Sequence, residues 1–190
     1  MTLYSAVLFV HIVSALGIIA ALSLTALSQV RLRKAATSGE VGFWLKLAPG
    51  VPALAIVSLA FLLLSGIYMT KELDAWTLAW PRVAVGALFL IGPLGAISAR
   101  RLSAIQCACA ESKPNETEIL SMARDPFLVI SMNLRIALVL GIVLLMTAKP
   151  ELRESLGIVV SSIFLGIVSA LPILWGRGSA SSIARADSHQ

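Results

Sequence analysis

Apolar residues in this chain gather into five runs, at positions 3–26, 51–69, 81–99, 127–148 and 156–175, and charge collects in the short stretches between them. A helix rises 1.5 Å per residue, so a run of about twenty residues covers the ~30 Å hydrocarbon core of a bilayer. The pattern predicts an all-α integral membrane bundle of five transmembrane helices. Residues 1–176 form its single helical domain, and residues 177–190 (RGSASSIARADSHQ) a polar, disordered tail. No repeat is evident, and five spans do not divide into two equal halves.

Composition supports lipid as the solvent. Of the 190 residues 58% are hydrophobic and 13% charged, and mean hydropathy is +0.91, too little charge to cover a soluble domain of this length. The net charge of +5 is a matter of topology and not a nucleic-acid surface. Arg31, Arg33, Lys34 and Lys46, then Arg100, Arg101, Lys113 and Arg124, then Arg177 and Arg185 fall in alternate connections. The other side has only Lys71, Arg82, Lys149 and Arg153, diluted by Glu72, Asp74, Glu151 and Glu154. The positive-inside bias places the N-terminus outside and the C-terminus in the cytoplasm of a bacterial inner membrane. No Lys or Arg precedes the first run, whereas Arg31, Arg33 and Lys34 follow it, so it reads as a retained span and not a cleaved signal.

Smaller features fit this frame. Tyr4, Tyr68, Trp76 and Trp80 belong at the outer interface, and Phe43, Trp44 and Trp175 at the inner one. Residues 40–47 (EVGFWLKL), stopped by Pro49 and Gly50, read either as a short surface helix or as a loop with two apolar anchors. Cys107 and Cys109, in a loop on the cytosolic side, are expected to stay reduced. Small residues four apart, Gly17 with Ala21, Gly92 with Ala96, Gly95 with Ala99, Ala137 with Gly141 and Gly166 with Ala170, mark where helices approach. Their clustering in the third run suggests a central place for that span. Pro93 cannot donate to the carbonyl of Phe89, so that oxygen needs a serine, a water or a ligand.

Three residues at depth carry the candidate chemistry: His11, Asn133 and Arg135. A cation at mid-bilayer costs at least ~2.5–3.5 kcal/mol, so Arg135 must face the bundle interior. No span contains an acid, which leaves carbonyls, Asn133, hydroxyls, lipid phosphate or an anionic ligand as its partners. His11 is open to three readings: a hydrogen-bonded link between helices, an axial ligand to haem or another metal, or part of a proton or solute path. With no second deep histidine, haem would be five-coordinate, or paired with Met69, Met132 or Met146, or shared across a symmetric homo-oligomer. Arg82, near the end of its span, is expected to snorkel to the interface. There is no phosphate loop, no H-E-x-x-H, no G-x-S-x-G and no intramembrane carboxylate pair.

Three stretches, VHIVSAL at 10–16, LLSGIYM at 63–69 and LRIALVLGIVLLMTAKP at 134–150, together resemble a family of small bacterial integral membrane proteins of uncharacterised function. That family is similar in turn to four-helix membrane proteins of the CopD copper-resistance type and the HemJ type. The HemJ-like resemblance implies a haem-associated redox role mapped onto His11; the CopD-like one implies copper handling. This chain has neither a second deep histidine nor methionine-rich metal sites, and it adds a fifth span. The leading expectation is a small-ligand or cofactor-binding bundle, with haem b as the candidate cofactor, His11 its metal ligand, and Arg135 with Asn133 facing an anionic group. The alternative is a non-catalytic membrane subunit or solute carrier whose deep polar residues are structural.

Overall fold

A computed structural model describes residues 2–46, 50–110 and 115–187, with side chains to Pro172. Lys113, Leu47, Pro49, His189 and the side chains of Trp175, Arg177 and Arg185 lie outside the described part. The described residues form seven α-helices: α1 (Leu3–Lys34), α2 (Ser38–Lys46), α3 (Val51–Glu72), α4 (Ala79–Cys109), α5 (Glu116–Ala123), α6 (Pro126–Ala148) and α7 (Leu152–Asp187). Five of them, α1, α3, α4, α6 and α7, are long and apolar enough to cross a membrane, which makes this a multi-pass membrane protein by length and composition. Most outgrow their apolar runs, because a helix satisfies its own backbone in water as well as in lipid. α7 continues past position 176, where a polar tail is expected to begin, to Asp187.

Local chemistry sets the ends. The Thr2 side chain caps α1 by accepting from Ser5 N–H, and Asp125 accepts from Phe127 N–H at 2.9 Å ahead of Pro126 at the start of α6. α6 stops where Lys149 turns left-handed (φ 46°) before Pro150. Between α3 and α4, Asp74 (φ 48°) leads into a 3-10 turn at Ala75–Thr77. Arg82 reaches back to that turn, its Nε donating to Trp76 O at 2.8 Å and Nη2 to Thr77 O at 3.1 Å. It braces the connection.

α1 packs chiefly on α3 and α7 chiefly on α6; α4 packs on α6 and α7, α1 meets α6 directly, and α3 and α4 barely touch. Glycines permit both pairings. A Cβ on Gly17 would collide with Ser58 Oγ, one on Gly141 with Ser162 Oγ, and one on Gly166 would come within 2.8 Å of Leu134 Cα. The core of the bundle joins Ile18 and Leu22 to Leu88, Ile91, Leu138 and Ile142. Its most enclosed span is α6, 56% buried over its apolar window against 28% for α4, so α6 and not α4 is central. The small residues of α4 are accounted for differently, as the next section shows.

One end of the bundle gathers the basic ends of α1 and α4 with α2 and α5. There Val41 and Leu45 of α2 pack with Leu32, Ile105 and Ile119. Residues 38–46 are thus a helix that caps the bundle. At this basic end Arg31 lies 5.4 Å from the Trp44 ring, Arg101 lies 4.4 Å from the Phe127 ring, and Arg101 pairs with Asp125. Exposed leucines, isoleucines and phenylalanines cover the outward faces of the spans, as expected of surfaces solvated by lipid.

Candidate functional site

Because α3 and α4 scarcely meet, a cavity of about 340 Å³ remains between α1, α3 and α4 in the half of the bundle near the basic end. Gly92, Gly95, Ala96 and Ala99 of α4 all line it. The small-residue pairs of that helix leave space where the sequence suggests a helix contact. One wall residue, Ile56, is 69% exposed, so the cavity opens sideways toward the surroundings of the bundle. Its lining is apolar but for Thr25, Ser28, Ser98, Ser103, Gln106 and Arg135.

Among the described residues Arg135 is the one cation of that lining, and it comes from the far side, on α6. Only 8% of it is exposed. Helical side chains lean toward the N-terminus of their helix, which for α6 is the basic end, and Arg135 does so. Its Nε donates to Ser131 O at 3.2 Å, one turn back, and Nη2 to Met132 Sδ at 3.5 Å. A guanidinium has five N–H donors, so three remain, both of those on Nη1 among them. Nη1 faces Gly95, where a Cβ would stand 3.5 Å away, and any longer side chain would take the guanidinium's space. Beside it the buried hydroxyls of Ser98 and Ser131 join α4 to α6 at 2.7 Å. Ser98 also donates to Leu94 O at 2.9 Å, and no hydroxyl among the described residues reaches the Phe89 carbonyl that Pro93 leaves unbonded.

His11 lies elsewhere. Its Nδ1 is 2.9 Å from Ser65 Oγ on α3, and its ring packs against Gly66, where a Cβ would sit 3.4 Å from Cε1. The Ser65 hydroxyl proton is directed at Phe61 O, 2.5 Å away. That leaves its lone pairs for Nδ1–H, and Nε2 keeps the free lone pair of the neutral ring. His11 is not among the residues that line the cavity. Asn133 donates to Val129 O of its own helix at 3.0 Å and does not line the cavity either. Of the three deep residues, only Arg135 reaches it.

Several site residues are missed by sequence reasoning. Gly95 gives no signal beyond its size, and Ser98 and Ser131 are ordinary serines until α4 and α6 are placed side by side. Among the described residues no group of three or more His, Cys, Asp or Glu comes together. Comparison with protein-family models, with curated proteins and with solved structures returns no match, so the likeness to CopD-type and HemJ-type proteins rests only on the short motifs that suggested it.

Proposed function

We propose that this membrane protein binds an anionic amphiphile, a molecule with a carboxylate, sulfonate or phosphate group on an apolar body, in the cavity between α1, α3 and α4. One observation carries the reading: a buried arginine with unused donors faces an apolar cavity and, among the described residues, no acidic side chain. Removing a cation from water is expensive unless it is paired, and an anionic guest supplies the partner the spans lack. A cavity of about 340 Å³ suits a small ligand, and its mouth at Ile56 admits one from the bilayer. His11 serves in this reading as a link between α1 and α3, not as a ligand to haem b, because the cavity lies at Arg135.

Equilibrium binding of octanesulfonate to protein purified in mild detergent tests this. A hydrogen bond to a charged group contributes about 1.5–3 kcal/mol, so Arg135→Gln should weaken binding by about ten- to a hundredfold, and Arg135→Lys by less. Equal affinity in the wild type and a folded Arg135→Gln variant would remove the proposal. The second reading, a subunit in which Arg135 is structural, draws on its two bonds within α6; it predicts no saturable binding and a lower melting temperature for Arg135→Gln.

A further inference from the structure

The helix pairs on either side of α4 are built alike. Gly17 of α1 closes on Ser58 of α3, with Leu54, four residues before the serine, as the next neighbour. Gly141 of α6 closes on Ser162 of α7, with Ile158, again four residues before, in the same role. Counting from these contacts, the deep polar residues coincide. His11 and Arg135 each lie six positions before their glycine; Ser65 and Ser169 each lie seven after their serine, although Ser65 is buried against His11 and Ser169 is exposed. Each of these serines gives its hydroxyl proton to a carbonyl of its own helix, Ser65 to Phe61 O, four residues back, and Ser169 to Gly166 O, three residues back. HIVSALGI at 11–18 and RIALVLGI at 135–142 share Ile, Leu, Gly and Ile in register. Matches among apolar residues alone are ordinary; the same contact and the same polar positions in both pairs are not. The repeat is hidden in the sequence because the first pair has a longer connection, the one that holds α2.

α1 is the first and α6 the fourth of five spans, so the two pairs run in opposite directions across the membrane. An inverted repeat of this kind places a binding site near mid-membrane between its halves and permits two states in which the halves exchange conformations. The pairs differ here in the way such an exchange requires. Ala55 of α3 lines the cavity, whereas Val159 of α7, its counterpart three residues before the serine, packs against the core.

Resting on the binding reading above, we propose that the protein is a carrier of anionic amphiphiles that works by alternating access. In the second state α7 withdraws from α4 as α3 does here, and a cavity opens at Val159 toward the opposite membrane face, with Arg135 between the two openings.

Single cysteines test this in full-length protein carrying Cys107→Ser and Cys109→Ser, in sealed membrane vesicles of known orientation. The polar lining residues Ser28, Ser103 and Gln106 continue the cavity toward the basic end, so a membrane-impermeant thiosulfonate should label Ala55→Cys only from the basic face and Val159→Cys only from the other. Octanesulfonate at about ten times its half-saturating concentration should slow labelling of Ala55→Cys about tenfold, and proteoliposomes preloaded with octanesulfonate should take up labelled octanesulfonate by exchange. Ile163→Cys, facing the same core, stands in if Val159→Cys does not fold. If Val159→Cys and Ile163→Cys react from neither face and no exchange occurs while Ala55→Cys is still protected, the carrier proposal fails and the binding reading stands. If octanesulfonate does not protect Ala55→Cys, the binding reading fails and the carrier proposal with it.

Discussion

His11 and Arg135 are both polar groups held in oil, and their surroundings separate their roles. The imidazole is satisfied by Ser65 across a helix contact, and a hydrogen bond between membrane helices is worth about 0.6 kcal/mol on average and up to ~1.7 kcal/mol. His11→Ala and Ser65→Ala should each lower the melting temperature in detergent by a few degrees, the double variant by less than their sum, and none should alter octanesulfonate affinity. Loss of binding in a folded His11→Ala would show that His11 touches the ligand. The cysteines give a second residue-scale prediction. Cys107 is exposed, whereas burial pushes the Cys109 thiol above its ordinary range, against a smaller opposing effect of Lys46. The thiolate is the reactive form, so near pH 8 alkylation should take Cys107 first, and Cys109 should catch up as pH rises; equal rates at pH 8 would contradict the placement. That two deep residues need partners is legible in the sequence. Which partners they find is not, because spans that are apolar all round do not reveal which face meets which helix.

At the scale of helices, glycines of the same sequence type do different work. A Cβ at Gly166 meets backbone of α6, while one at Gly92 meets nothing within 4 Å. Gly166→Ala should therefore destabilise the protein by about 1–3 kcal/mol, the usual range for overpacking, and Gly92→Ala should leave its melting temperature unchanged. Thermal unfolding of the two variants side by side checks this, and equal melting temperatures would refute the close packing of α6 on α7. Gly95→Leu should displace the guanidinium and fill the cavity, seen as loss of octanesulfonate binding in variant protein that still folds; unchanged affinity would contradict the placement of Arg135. The five spans are read correctly from runs of apolar residues, because length and hydropathy decide that question alone. The central helix is misread for a physical reason: small residues mark either a close contact or a space, and Gly92, Gly95, Ala96 and Ala99 mark a space.

Across the whole molecule, the basic connections and the two short helices form one end, and the cavity lies in the half of the bundle next to it. The architecture of two helix pairs about α4 is invisible to a division into equal halves, since the pairs differ by the stretch that holds α2 and share few identities. Chemistry is the least legible level, for it depends on one guanidinium crossing from α6 to a space bounded by α1, α2, α3 and α4. The most direct test of that arrangement is mass spectrometry of the protein purified natively from membranes. Wild-type protein should retain an anionic amphiphile near one per chain, and an Arg135→Gln variant with the same melting profile should lose it; equal retention by the two, or none by the wild type, would contradict the account.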